Sequence, residues 1–170
     1  STPNTLTFDV TAVNDVPVIT VAGGAETEAT NEDTSVAVTG LSVADVDNTS
    51  LHEVVLSVTH GTLTVKLDVT SGVTSAAGNG TNSVTLTGPV AEINATLANA
   101  AGVTFAPTAN FNGSAVVSMA ATDLASGGLT ATTNTAVTVT VHAVDDVPTG
   151  AATTFTATEH TPLGVTIAES

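Results

Sequence analysis

Cysteine, tryptophan and tyrosine are missing from the 170-residue sequence, and Lys66 is its single basic residue. Without cysteine the chain can form neither disulfides nor thiolate zinc sites. One lysine against sixteen Asp and Glu residues leaves nothing to neutralise phosphates, which excludes nucleic acid as a partner. The sequence contains no run of roughly twenty apolar residues and begins with STPNTLTFDV. We therefore expect no membrane insertion by this chain, and we expect any export signal to lie outside it.

The amino-acid composition favours β-strands. Hydrophobic residues make up 42% of the chain, mostly Val, Ala, Leu and Ile interleaved with many Thr. This is enough for a buried core, and β-branched side chains fit a pleated, half-buried surface better than a helix. The formal charge of −15 implies cationic partners, and calcium ions are the mobile cations expected outside a cell. The alternative is that this charge serves solubility alone.

A twelve-residue pattern occurs twice in the sequence. LTFDVTAVNDVP ends at Pro17, and VTVTVHAVDDVP ends at Pro148. The likeness continues beyond the proline, where NEDTSVAV from Asn31 is echoed by TEHTPLGV from Thr158. Internal repetition of this kind is typical of tandem arrays. We predict that residues 1–17 are the last strand and linker of one repeat, 18–147 a complete repeat, and 148–170 the beginning of another.

Alternating apolar and polar residues predict many short strands within the complete repeat. In the last of them Val137, Val139 and Val141 share one face, as expected when one side of a sheet packs on a core. So many short strands predict an all-β sandwich. The predicted strands are residues 18–22, 35–39, 53–59, 62–67, 83–87, 103–106, 114–122 and 130–141.

One segment, GPVAEINATLANA, departs from the alternating pattern. Pro89 suits a first helical position, and Val90, Ile93, Leu97 and Ala101 follow at helical spacing. We predict one short helix near residues 89–99 that serves packing.

The two copies of the pattern end in short, oxygen-rich segments: AVNDVP, the first linker (residues 12–17), and AVDDVP, the second linker (residues 143–148). A calcium ion takes six to eight oxygen ligands, more than one short linker supplies, so loops of the flanking repeats must contribute. Such loops carry Asp45 and Asp47, two residues apart, and Asp123 before a Gly-rich turn. We predict a calcium site around the first linker, formed by Asn14, Asp15, Asp45, Asp47 and Asp123. The alternative is a solvated connector, because Asp and Asn are also ordinary turn residues.

These motifs resemble the cadherin superfamily. AVNDVP resembles the family's acidic linker ending in proline, ADVD its Asp-x-Asp element, and AATDLASGGLT its Ala-x-Asp element. The resemblance implies an Ig-like, Greek-key β-sandwich in tandem array, with calcium bridging successive domains. It implies that Glu32, in NEDT, joins Asp145 and Asp146 at the second linker, and that Glu159 has the same role in the following repeat. The family's central Asp-Arg-Glu element is missing here.

The segments INATLANAAGVTFAPTANFNGS and AATDLASGG are similar to the cadherin-like repeats of large bacterial adhesins of the RTX type. This resemblance implies a structural extender on the bacterial cell surface or in a secreted protein, supporting cell adhesion or biofilm formation. Neighbouring repeats of the same protein would be its partners.

Other functions are less well supported by the residues. The four histidines are far apart in sequence and are expected at the surface, and no nucleophile is found with a base, so we predict no enzymatic activity. A carbohydrate-binding module would need aromatic side chains, of which the chain has only four Phe. A self-assembling extracellular filament or surface layer, using strand addition between chains, is the remaining alternative.

Overall fold

The structure is a computed structural model that describes residues 3–11, 13–22, 27–47, 50–124, 128–132, 137–147 and residue 159. Strands dominate it, and one short helix interrupts them. The elements, in chain order, are β1 (Val18–Val21), β2 (Thr27–Asn31), β3 (Val36–Ala37), β4 (Leu41–Ala44), β5 (His52–Val58), β6 (Gly61–Val65), β7 (Ala76–Ala77), β8 (Ser83–Gly88), α1 (Val90–Leu97), β9 (Val103–Pro107), β10 (Gly113–Asp123), β11 (Thr130–Thr132) and β12 (Val137–His142).

The described strands form three sheets. The largest has seven strands in the order β2-β12-β10-β5-β8-β7, with β11 also paired to β10. The other two sheets are β3-β9-β6 and β1-β4. The strand pairs are antiparallel except β2 and β12, which run parallel. The predicted all-β fold is confirmed.

A single hydrophobic core receives side chains from all three sheets. Val54 and Leu56 on β5 are fully buried, as are Leu63 on β6 and Phe105 on β9. Alternate residues of each strand point the same way, so the apolar residues of each sheet collect on one face. Burying a side chain of this size stabilises the fold by about 1.5–3 kcal/mol, which makes this shared core the main source of stability.

Strand β10 defines two opposite ends of this sheet assembly. Its first residue, Gly113, pairs with Val141 near the second linker, and its last residue, Asp123, pairs with His52. Eleven residues of strand at about 3.3 Å per residue separate these ends by roughly 33 Å. The end at Asp123 and His52 is called the first end, and the end at Gly113 and Val141 the second end.

The predicted helix is confirmed and lies beside β4. It runs from Val90 to Leu97 after Pro89, and it buries Val90, Ile93 and Leu97. The Asn94 side chain accepts a hydrogen bond from the Val43 N–H at 2.9 Å and donates one to the Val43 carbonyl at 2.7 Å. The helix therefore occupies an edge of β4 that would otherwise expose backbone polar groups.

Some strand predictions need correction. The strands β2, β4 and β7 were not predicted, because two to five residues are too few for a clear alternating pattern. The single strand predicted over residues 130–141 is two strands, β11 and β12, and residues 133–136 between them lie outside the described part.

The segment before the first linker forms no strand in its described part, residues 3–11. Leu6, Phe8 and Val10 are exposed there to 77%, 80% and 92%. Because a strand is defined by hydrogen bonds to a neighbour, and no described strand pairs with this segment, its assignment as the last strand of a preceding repeat stays a prediction. Of residues 148–170, the other predicted partial repeat, only Glu159 is described.

Candidate metal sites at the two linkers

The ladder between β1 and β4 brings the first linker to the first end. Val18 pairs with Ala44 in this antiparallel ladder, so the residues just before β1 lie beside the residues just after β4. Pro17 is buried and has a fixed φ, which limits the directions in which the linker can leave the sheet. The aspartates that follow β4 therefore meet the linker, although they lie about thirty residues further along the chain.

Hydrogen bonds join three of the predicted site residues at this end. Asp47 donates its backbone N–H to Oδ1 of Asp45 at 2.9 Å, which fixes the turn after β4. Asp15 donates its backbone N–H to Oδ2 of Asp47 at 2.6 Å. The structure thus brings the first linker together with Asp45 and Asp47. A carboxylate accepting from an N–H is a charge-assisted bond, stronger than one between neutral groups.

A buried histidine lies beneath these carboxylates. His52 Nε2 is 3.0 Å from Oδ2 of Asp45, and both side chains are fully buried. Asp123, the register partner of His52 across the sheet, is also fully buried. Charged groups avoid the interior unless they have specific partners, so this cluster is a built feature of the first end.

The expectation that the histidines lie at the surface was wrong for His52. Its burial could nevertheless be predicted from the sequence, because His52 extends the inward-facing series of Val54, Leu56 and Val58 on β5. Asp123 in the same way extends the buried series of β10. A polar residue in phase with a buried apolar series is the signal that marks this cluster. The described residues His60 and His142 are exposed, as expected.

The linker also contributes a buried amide and part of a pocket. Both polar side-chain atoms of Asn14 are buried and have no hydrogen-bond partner among the described residues. Beside it a pocket of about 580 Å³ is lined by the carboxylate residues Asp15 and Asp45 and by four apolar residues. A buried amide without partners costs free energy, so Asn14 Oδ1 is suited to a ligand that this end could bind. The apolar lining residues are Val16, Val18, Ala44 and Val46.

The side-chain oxygens at the first end are of the chemical types that bind calcium. Carboxylate and amide oxygens are the ligands that calcium prefers. The single basic residue of the chain, Lys66, is 3.7 Å from Asp68, so no lysine or arginine neutralises the linker carboxylates. Within the described ranges, however, no three His, Cys, Asp or Glu side chains are close enough together to hold a metal ion. The calcium assignment therefore stays a prediction.

At the second end, Glu32 meets the second linker. Because β2 and β12 run parallel and end together, with His142 paired to Asn31, the next residue of each strand lies at the same edge. Glu32 donates its backbone N–H to the His142 carbonyl at 2.8 Å, and its Oε1 accepts the Val144 N–H at 2.5 Å. The buried Glu32 is therefore next to the linker, and its predicted role as a calcium ligand there stays a prediction.

The remaining predicted residues are Asp145 and Asp146 in the second linker and Glu159 in the predicted following repeat. Asp145 and Asp146 follow Val144 directly, and both are exposed. Glu159 is exposed as well, and its neighbours in sequence lie outside the described residues. The structure thus brings Glu32 beside the second linker but does not test the role predicted for Glu159.

Comparison with known proteins adds no assignment: no family model matches the sequence, and neither a similar curated protein nor a similar solved structure was found. Among the described residues, no helix has the length and apolar character needed to cross a membrane.

Proposed function

We propose that this chain is an extender segment of a secreted or cell-surface bacterial adhesin. In this proposal it consists of tandem, cadherin-like Greek-key β-sandwich repeats, and calcium bound at the linkers makes the array rigid. Its work is to hold a terminal adhesive domain away from the cell, in adhesion or biofilm formation. This is a structural role without catalysis.

The observation that carries the proposal is the position of the two linkers. Asp15 in the first linker is bonded to Asp47 at one end of the sheets, and Val144 in the second linker is bonded to Glu32 at the other. A unit that the chain enters at one end and leaves at the opposite end, through nearly identical linkers, can be repeated as a rod. A single core that receives side chains from all three sheets supports the sandwich assignment.

Electrostatics supports calcium as the stiffening agent. Acidic residues outnumber basic ones by sixteen to one, so carboxylates at each linker repel one another within a screening length of about 8 Å. Asn14, Asp15, Asp45, Asp47 and Asp123 would hold the ion at the first linker, and Glu32, Asp145 and Asp146 at the second. A bound calcium ion would supply two positive charges that several carboxylates share. These residues would then fix the direction of each linker.

Calcium titration by calorimetry, combined with melting curves in calcium and in chelator, tests this proposal. We expect dissociation constants of about 0.1–1 mM, as for other extracellular modules. At a hundredfold excess over the dissociation constant, each occupied site would raise the unfolding free energy by about 2.7 kcal/mol. Equal melting temperatures in 10 mM calcium and in chelator, with no heat of binding, would contradict the proposal.

A second function, assembly into an extracellular filament by strand addition, is favoured by the segment before the first linker. Its residues Leu6, Phe8 and Val10 occupy the positions of Val137, Val139 and Val141 in the repeated pattern. The first three are exposed, whereas the second three are buried at 3% exposure or less. An apolar strand-forming segment without a partner is a site where another chain can add.

Light scattering across a range of protein concentrations distinguishes the two functions. Strand addition predicts growth into oligomers that Phe8→Asp abolishes and that the matched surface variant Leu67→Asp leaves intact. An extender predicts a monomer at all concentrations, with or without calcium.

A further inference from the structure

We propose that each linker is held by two carboxylates, one from each flanking repeat, through hydrogen bonds to linker backbone N–H groups that need no metal ion. We call this pair of bonds the clasp. The inference rests on the tandem arrangement in the proposed function but not on calcium binding. It implies that calcium strengthens a joint whose direction is already set.

One half of the clasp is visible at the first linker. Oδ2 of Asp47, from the repeat that follows this linker, accepts the Asp15 N–H at 2.6 Å. The Asp47 backbone is held in turn by Asp45 at 2.9 Å, and Asp45 lies 3.0 Å from the buried His52. The accepting carboxylate is thus connected to the rigid core of the repeat by an unbroken chain of contacts.

The other half is visible at the second linker. Oε1 of Glu32, from the repeat that precedes this linker, accepts the Val144 N–H at 2.5 Å. Glu32 is 7% exposed, and its own N–H donates to the His142 carbonyl at 2.8 Å. Burial lowers competition from water, so a charge-assisted bond here is worth more than one in solvent.

The repeated pattern places both halves on one linker. When the two copies are aligned at Pro17 and Pro148, Val144 corresponds to Val13 and Asp15 corresponds to Asp146. The preceding repeat therefore holds the second linker residue, and the following repeat holds the fourth. Two bonds to N–H groups two residues apart, one from each side, fix the linker relative to both repeats.

The clasp also separates two roles of these carboxylates. Each carboxylate has two oxygen atoms, and the bond to the linker uses one of them. The second oxygen of Asp47 or Glu32 can serve calcium without releasing the linker. Replacement by the matching amide retains a neutral oxygen acceptor for the N–H but removes the charge that calcium requires. Replacement by alanine removes both.

Amide hydrogen exchange, followed by NMR in chelator on the full 170-residue chain, tests the clasp. We expect the Asp15 and Val144 amides to exchange about tenfold more slowly than Val13 and Asp146, after correction for intrinsic rates. In the described part of the chain, Val13 and Asp146 have no acceptor for their N–H groups, so they are internal controls.

Substitutions assign each protected amide to its carboxylate. Asp47→Ala should release the Asp15 amide alone, and Glu32→Ala the Val144 amide alone. Asp47→Asn and Glu32→Gln should keep most of the protection while weakening calcium binding. Equal exchange of all four amides in the unmodified chain, or protection that survives both alanine variants, would overturn the proposal.

A longer chain tests whether both halves act on one linker. If residues 1–148 are followed directly by residues 18–170 of a second copy, the central linker has a repeat on each side. The Asp146 amide, unprotected in the 170-residue chain, should then become protected about as well as Val144. Absence of this gain would show that the clasp is not two-sided. Calcium calorimetry on the same samples reports the proposed function separately, since the clasp is measured without metal.

Discussion

The two ends of the sheet assembly carry similar linkers, but they hold them differently. At the first end, Asp45 and Asp47 form a connected series from the linker down to the fully buried His52. At the second end, the single buried carboxylate of Glu32 contacts the linker directly. In this chain the two linkers therefore contact different residues, because the described sheets follow the first linker in sequence and precede the second.

The difference has a topological origin. The first end is built by the segment before β1, the segment after β4 and the last residues of β10, so several chain segments converge there. The second end is built where β2 and β12 finish side by side, and Glu32, the residue after β2, contacts the linker there. We expect the first end to be both more sensitive to substitution and the tighter site for calcium.

The largest expected effect comes from removing the buried imidazole at the first end. His52→Ala deletes a partner of Asp45 and leaves a cavity in the core, so we expect the unfolding free energy to fall by about 2–4 kcal/mol. Urea unfolding measures this. The matched substitution at the second end, His142→Ala, removes an exposed side chain and should change stability by less than about 0.5 kcal/mol. Equal losses in the two variants would contradict the assigned difference between the ends.

A smaller effect is expected at the helix that supports the first end. Asn94→Ala removes two hydrogen bonds to Val43, two residues before Asp45, and should lower the unfolding free energy by about 1–2 kcal/mol. Thermal unfolding measures this loss of stability. Asn112→Ala, at an exposed position of the same residue type, is the control and should leave the melting temperature unchanged. An Asn94→Ala variant with an unchanged melting temperature would mean that the hydrogen bonds from the helix do not stabilise β4.

The smallest expected effects are changes in calcium affinity at the two ends. Asp45→Asn should weaken the tighter site about tenfold, because affinity follows the number of charged ligands. Asp146→Asn, in the exposed second linker, should weaken binding by less than about threefold. Calorimetry measures both, with Asp68→Asn, whose carboxylate faces Lys66, as the control that should bind calcium unchanged. A reversed order would place the tighter site at the second end.

Much of the fold was predictable because it depends on local patterns. The alternation of Val137, Val139 and Val141 predicted the buried face of β12, and the spacing of Val90, Ile93 and Leu97 predicted the helix. Both patterns reflect the geometry of one element. Strands β4 and β7 were missed, since they are two to four residues long and are stabilised by neighbours rather than by their own sequence.

The candidate site was predictable only in part. The acidic residues near the linkers were found from their type and spacing, and the structure brings Asp15, Asp45 and Asp47 together as expected. The role of His52 was missed, because its contact with Asp45 depends on how β4 approaches β5. The direct bond from Glu32 to Val144 depends on the parallel pairing of β2 and β12, which no local pattern specifies.

By itself, the sequence determined that this chain is an acidic, strand-rich protein with two copies of one linker, because composition and repetition are properties of the residues alone. Only the tertiary structure decided which residues surround each linker. Leu6, Phe8 and Val10 have the same pattern as their buried counterparts in β12 and are nevertheless exposed. The physical reason is that burial and hydrogen bonding require a second segment of chain, and the pairing of distant strands determines where that segment lies.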